Sequence, residues 1–254
     1  MKDSVKLIIP PCGALVLADG QQTDATGAVD IIIMNDPEAI EISGGGRVSG
    51  NTGGQTGWSG GYSQITNGII IGVYGSSNRG IMIDNINLTD HWSNPVVLNN
   101  ADNAVLKNIS CSDVGEGLLI QESDRTILSG YTHADSSGTS VGDGFEWSSC
   151  TNALIEQFDI SGGGSGAGID VFGCVDCVVR DGRITKWNAG IAVQTNWTGD
   201  GLKSDNVLIS NVRIDSCTGD GVQVSQDTVN VLLEHVDVFG SGRGFQINAD
   251  GDTL

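Results

Sequence analysis

Positive charge is scarce: 12 Lys and Arg stand against 31 Asp and Glu in 254 residues, a formal net charge of −19. That excludes nucleic acid as a partner, because phosphate binding needs concentrated positive charge. An anionic membrane surface is disfavoured on the same ground. Only four prolines are present and glycine shows no triplet period, so the chain is neither a Pro-rich linker nor collagen-like. No apolar run approaches the roughly 18 residues of a membrane-spanning helix. Residues 1–11 are too short and too weakly apolar to read as a secretory signal. Six cysteines (Cys12, Cys111, Cys150, Cys174, Cys177, Cys217) are too sparse for a disulfide scaffold. Three histidines, His91, His133 and His235, match no metal spacing, and His133 reads as a turn residue.

What the chain does have is glycine, 38 residues or about 15%, roughly twice the usual share. It also has enough apolar residues, 39%, for a core. Helical periodicity is hard to find, whereas short alternating apolar runs bounded by Gly, Asn, Asp and Ser recur throughout. A column of turn residues, Asn78, Asn103, Arg125, Asn152, Asp176, Asn206 and Asn230, returns every 22 to 30 residues, each before an apolar triplet. A second column begins at Gly117, Gly144, Gly168, Gly190, Gly221 and Gly244, each followed by residues apolar at the first and third places and variable at the second. That alternation predicts a strand with one buried face. A third, as in Phe158-Asp159-Ile160 and Arg183-Ile184, follows each triplet. Two or three short strands per repeat predict one coil of a parallel β-solenoid, whose coils must stack to bury their apolar faces. Glycines are expected where turns need positive φ, and Asn side chains at equivalent turns can form a ladder.

These residues resemble the right-handed parallel β-helix of the pectin-lyase-like superfamily over most of the chain. Residues 8–17 look like a first coil after a capping helix, and the segment Ile40 to Gly50 resembles the glycine-rich coil that follows. The resemblance implies one all-β domain over residues 1–254, a right-handed single-stranded parallel β-helix, with a Gly-rich loop insertion at 51–68 containing Trp58 and Tyr62. No end cap is legible, so the chain reads as a fragment or as a solenoid whose ends a partner covers. It also implies action on an extracellular polysaccharide, by a secreted or virion-surface protein, as glycoside hydrolase or polysaccharide lyase. A non-catalytic glycan-binding or structural β-helix, such as a trimeric tailspike-like or adhesion module, is the alternative.

In a stacked solenoid, equivalent positions lie about 4.8 Å apart. The outward column then reads Leu119, Glu146, Asp170, Ala192, Gln223, Gln246, and the column before each glycine starts Glu116, Asp143. Asp143, Glu146 and Asp170 therefore converge on two adjacent coils. Carboxylates held together raise one another's pKa and can supply an acid with a base or nucleophile, as a glycosidase requires. A solvated acidic face or a Ca2+ site built from oxygen ligands would show the same residues, so Ca2+ is the one cofactor left open. Polygalacturonases of the superfamily carry Asn-Thr-Asp-Gly, Asp-Asp, Gly-His-Gly and Arg-Ile-Lys on successive coils. Val141-Gly142-Asp143-Gly144 is similar to the first, but the next positions read Gly166-Ala167, Asn188-Ala189-Gly190 and Gln223-Val224-Ser225. A second carboxylate would thus be Glu146 or Asp170. Arg183 and Lys186, with Arg180, form the one basic concentration and are candidates to bind a uronate, or to act as a lyase's base. Trp187 and Trp197 fall in turns and are candidate sugar platforms, while Trp147 faces inward. Cys150 and Cys174, at equivalent turns, read as stacked buried thiols.

Overall fold

A computed structural model describes residues 5–19, 31–52, 71–91, 93–134, 142–195, 202–225 and 227–248. Among the described residues there are 22 strands and no helix. They form two parallel sheets. A short sheet of nine strands runs from Ile32–Asn35 through Phe145–Ser148, Ala167–Phe172 and Ala189–Gln194 to Arg243–Ile247. A long sheet of 13 strands runs from Val5–Ile8 through Val105–Val114, Leu154–Ser161, Val175–Thr185 and Asp205–Asp215 to Val229–Phe239. The chain alternates between them, one short and one long strand per coil, which is a parallel β-helix. The second and third expected columns are thereby separated: the glycine column opens strands of the short sheet, and the other two lie on the first and second halves of the long strands.

The turn-residue column, Asn78 apart, marks where the chain must enter the left-handed region. Asn103, Arg125, Asn152, Asp176, Asn206 and Asn230 all have φ between 51° and 57°. Asn tolerates this conformation best among non-glycine residues. The side chains link successive coils: Arg125 Nε donates to Asn103 Oδ1 at 2.8 Å, Asn152 Nδ2 to Asp124 Oδ1 at 2.8 Å, and Asn206 Nδ2 to Asp176 Oδ1 at 2.5 Å. A second left-handed row, Asn85, Asn108, Gly130, Gln157, Asp181, Asn211 and His235, bends each long strand in the middle.

The column glycines have a different purpose from the one expected. None of Gly117, Gly144, Gly168, Gly190, Gly221 and Gly244 has positive φ. A Cβ on Gly144, Gly168 or Gly221 would instead lie 2.6, 2.8 or 2.5 Å from the carbonyl oxygen of the corresponding glycine on the next coil. The backbones of successive coils approach too closely there for any side chain. Close approach selects glycine there, though a Cβ on Gly244 would meet open space; turn conformation selects none of the six.

The core runs along the axis in stacked rows. Ile120, Trp147, Val171, Val193 and Val224 follow one another in register across the short sheet, and Leu106, Leu128, Ile155, Val179 and Ile209 across the long one. All are buried. His133 occupies such a row between Cys111 and Ile160 and is 1% exposed, so it is a core residue and not a turn residue. Cys150, Cys174 and Cys177 are free buried thiols. The insertion at 51–68 lies outside the described residues apart from Asn51 and Thr52.

Candidate active site

The short sheet carries the acidic column in the register expected from the repeat. Glu146 is paired directly with Asp170 on the next coil, preceded by Leu119 and followed by Ala192, Gln223 and Gln246. Parallel pairing places such rungs about 4.8 Å apart. Asp143 sits in the corner just ahead of the strand Phe145–Ser148, where its Oδ1 accepts the Ala167 N–H at 2.5 Å. Room for that carboxylate is made by Gly166, since a Cβ there would collide with Asp143 Oδ1. Asp170 Oδ2 accepts the Gln194 amide at 2.9 Å. Asp170 is 8% exposed, and its Oδ1 has no hydrogen-bond partner among the described residues. Beside it Ala167, Ala189 and Ala192 form a small buried apolar cluster.

Burial in this setting favours the neutral acids. The Glu146 carboxyl is pushed up to about 7, first by burial and then by Asp143 and Glu116. Asp170 is raised well above the usual carboxylate range by burial, then by Asp143 and Glu146, against the opposing hydrogen bonds from Gln194 and Val171. Asp143 is raised by burial, opposed by the Ala167 N–H.

A fourth carboxyl joins the three expected ones. Glu116 is raised by burial and by Asp143. Gly142 makes its space, because a Cβ there would come within 2.7 Å of Glu116 Oε1. The signal for it was in the sequence: Glu116 precedes Gly117 as Asp143 precedes Gly144. It was hidden because the next column on its coil holds Leu119, so no second acid drew attention to it. Gln194, which holds Asp170, belongs to the column two places on and carries no charge to betray it.

The basic residues do not join this cluster. Arg183 lies in Val175–Thr185 on the long sheet, where it donates to Asp215 at 3.2 Å. Arg180, on the same strand, is paired with Glu156 at 2.6 Å. Lys186 is exposed in the turn between Val175–Thr185 and Ala189–Gln194, and no ion pair links it to the three acids. Trp187 is fully buried and offers no face to a sugar. Its ring lies 5.5 Å from that of His133 and fills the space left by Gly144, Gly162 and Gly164, beneath the Asp143 corner. Trp147 is core, as its inward position required. Trp197 lies outside the described residues. Among the described residues no group of three His, Cys, Asp or Glu is arranged to hold a metal ion. Among them, too, no helix is long and apolar enough to cross a membrane.

Residues 67–254 match the family model described as a right-handed beta helix region. No curated protein sequence matches the chain. Among solved structures, the polygalacturonase from Erwinia carotovora is similar with a TM-score of 0.65 at 12% identity, over 96% of this chain and 83% of that one. The AlgE6 A-module, a mannuronan C-5 epimerase from Azotobacter vinelandii, is similar at 0.55 and 10%, over 98% and 90%. The tailspike of E. coli bacteriophage HK620 is similar at 0.54 and 10%, but this chain spans only 57% of it. At such identities the likeness establishes the fold, a right-handed parallel β-helix, and nothing finer.

Proposed function

The chain belongs to the right-handed β-helix family, and from that premise we propose that it cleaves a glycosidic bond in a polysaccharide by hydrolysis. The observation that carries the reading is the in-register pair Glu146 and Asp170, both raised in pKa, with Asp170 Oδ1 unpartnered among the described residues. A protonated carboxyl has one O–H to donate; Oδ1 has no partner among the described residues and is closed to solvent, so passing its proton to a glycosidic oxygen requires the Asp170 side chain to turn outward from the sheet. Glu146, half-buried and ionised above about 7, supplies the base or nucleophile. Burial first, then Asp143 on both, Glu116 on Glu146 and Glu146 on Asp170, keep the two protons on to higher pH than solvent would. Hydrolysis is favoured over elimination because two of the three candidate bases, Arg180 and Arg183, belong to the other sheet and are paired there with Glu156 and Asp215. An extracellular or virion-surface location fits such a substrate.

The test is a panel of plant, algal and bacterial polysaccharides, assayed with and without chelator for new reducing ends and for the ultraviolet absorbance of unsaturated ends. Reducing ends without absorbance, a rising limb of activity near pH 7, and loss on Glu146→Gln and on Asp170→Asn are expected. General acid–base catalysis contributes roughly 100- to 10,000-fold, so each variant should fall by that order. Full activity in either variant, or no cleavage of any polysaccharide, would refute it. Glycan binding without cleavage would leave the non-catalytic reading in its place.

A further inference from the structure

Arg183, a candidate to bind a uronate, lies on the long sheet, apart from the acidic cluster. A groove of about 430 Å3 on the long sheet is lined by Phe158, Asp159, Gly182, Arg183, Arg213 and Asp237 among others. Gly182 shapes its floor: a Cβ there would strike the Phe158 ring, which lies across it. Arg183 and Arg213 are direct partners on adjacent coils, flanked in the same row by Asp159 on one side and Asp237 on the other. Two guanidiniums about 4.8 Å apart along the backbone repel each other unless an anion holds them. Asp215 does so. Its Oδ2 takes the Arg183 Nε–H at 3.2 Å and the Arg213 Nε–H at 2.8 Å, and its Oδ1 takes an Arg213 Nη2–H at 3.2 Å. The two cations hold Asp215 below the usual carboxylate range, Arg213 more than Arg183. Arg213 also lies over the Phe239 ring at 4.9 Å, which fixes its plane.

Within the trio one carboxylate faces two guanidiniums, while Asp159, Asp181 and Asp237 also line the groove and Asp237 acts on Arg213 as well. Each guanidinium has five N–H donors and spends only some of them here, and the side chains are 54% and 58% exposed. The result is a pre-oriented pair of planar donors, the arrangement that suits a carboxylate ligand. On either side Asp159 and Asp237 can only accept hydrogen bonds, as hydroxyl partners would require. They would oppose a multiply charged anion such as phosphate. A singly charged, polyhydroxylated ligand satisfies both halves of the pattern.

We propose that this groove binds a uronic-acid unit of a polysaccharide, its carboxylate on Arg183 and Arg213 and its hydroxyls on Asp159 and Asp237. It is a second binding site, on a different sheet from the carboxyl cluster, and does not depend on that cluster being catalytic. The test titrates the full chain with trimers of galacturonate, mannuronate and glucuronate, following the Nε–Hε signals of the arginines by NMR. At least one trimer should shift Arg183 and Arg213 while leaving Arg125, 59% exposed in the turn before Ile127–Ser129, unmoved. Its methyl ester should bind at least roughly tenfold more weakly, the loss of one charge-assisted hydrogen bond. Arg183→Gln leaves Asp215 bonded to Arg213 through two N–H groups, so it folds, and it should weaken binding by a similar factor. The triple variant Asp143→Asn, Glu146→Gln, Asp170→Asn should bind as the parent does. No shift with any trimer, equal shifts across all arginines, unchanged affinity for the ester or in Arg183→Gln, or loss of binding in the triple variant would each overturn the proposal.

Discussion

Replacing Glu146 with Gln should make the protein more stable at alkaline pH, and the size of the gain follows from its surroundings. The folded protein holds the Glu146 proton to about pH 7, whereas a solvated glutamate releases it at 4.5. Between those values the folded state binds more protons than the unfolded state, so stability falls as pH rises through the window. The window spans roughly 2.5 pH units, and at about 1.4 kcal/mol per unit the ionised side chain costs about 3 kcal/mol above pH 7. Gln has nearly the shape of the protonated acid and cannot ionise. At pH 4 the parent and Glu146→Gln should therefore unfold at similar free energies, and at pH 8 the variant should be the more stable by about 3 kcal/mol. Urea titrations followed by tryptophan fluorescence suit the measurement, because Trp147 and Trp187 are fully buried and report loss of the core. The difference between the two proteins at each pH is the quantity that matters, since it cancels the pH dependence of the acids that Glu146 does not act on, Asp170 being the exception. A variant no more stable than the parent at pH 8, or a difference equal at both pH values, would refute the argument that burial and the neighbouring acids hold this proton.

Gly166→Ala should displace the Asp143 carboxylate from the Ala167 N–H, because the new Cβ meets Asp143 Oδ1; any polysaccharide-cleaving activity should drop at least roughly tenfold with the circular dichroism spectrum unchanged. Gly144→Ala faces the Gly168 carbonyl oxygen and Ile160 at 2.6 Å, neither able to retreat, and should cost about 1–3 kcal/mol or more in urea unfolding. Trp187→Ala should cost about 3–5 kcal/mol as a core truncation; a variant that kept its stability but lost glycan affinity would restore the surface role that its burial denies.

Much of the architecture was legible because a solenoid writes the same instruction many times. The row Leu119, Glu146, Asp170, Ala192, Gln223, Gln246 was readable to the residue, since strand alternation leaves one register that buries Ile120, Trp147 and Val171 together. The errors came where the backbone departs from simple alternation. Lys186 adopts φ of 62°, and that turn reverses the face of the next residue, sending Trp187 inward. Arg183 stands apart from the acids for a different reason. Linear order places it close to the acids, but the bends that divide each coil into two sheets put it on another face of the solenoid. His133 looked like a turn residue because the short strand that holds it, Thr132–Ala134, is split from its continuation at Gly130.

The acidic site arises from a departure from the repeat and not from the repeat itself. Every coil offers the same outward rung, and most fill it with an apolar or amide side chain whose neighbours are alike. Only at Glu146 and Asp170 do two ionisable rungs meet, and they meet between Leu119 and Ala192, neither of which can solvate a charge. The corners add the remaining acids by another route: Gly142 and Gly166 let Glu116 and Asp143 lean toward the following coil. Each acid is thus confined by a residue on a neighbouring coil, Glu116 at Gly142, Asp143 at the Ala167 N–H, Asp170 at Gln194. Coil stacking alone sets the spacing of these groups, so their protonation is a property of the assembled helix. No isolated coil could hold a carboxyl at about 7, because the neighbours that desolvate and repel it belong to the coils before and after.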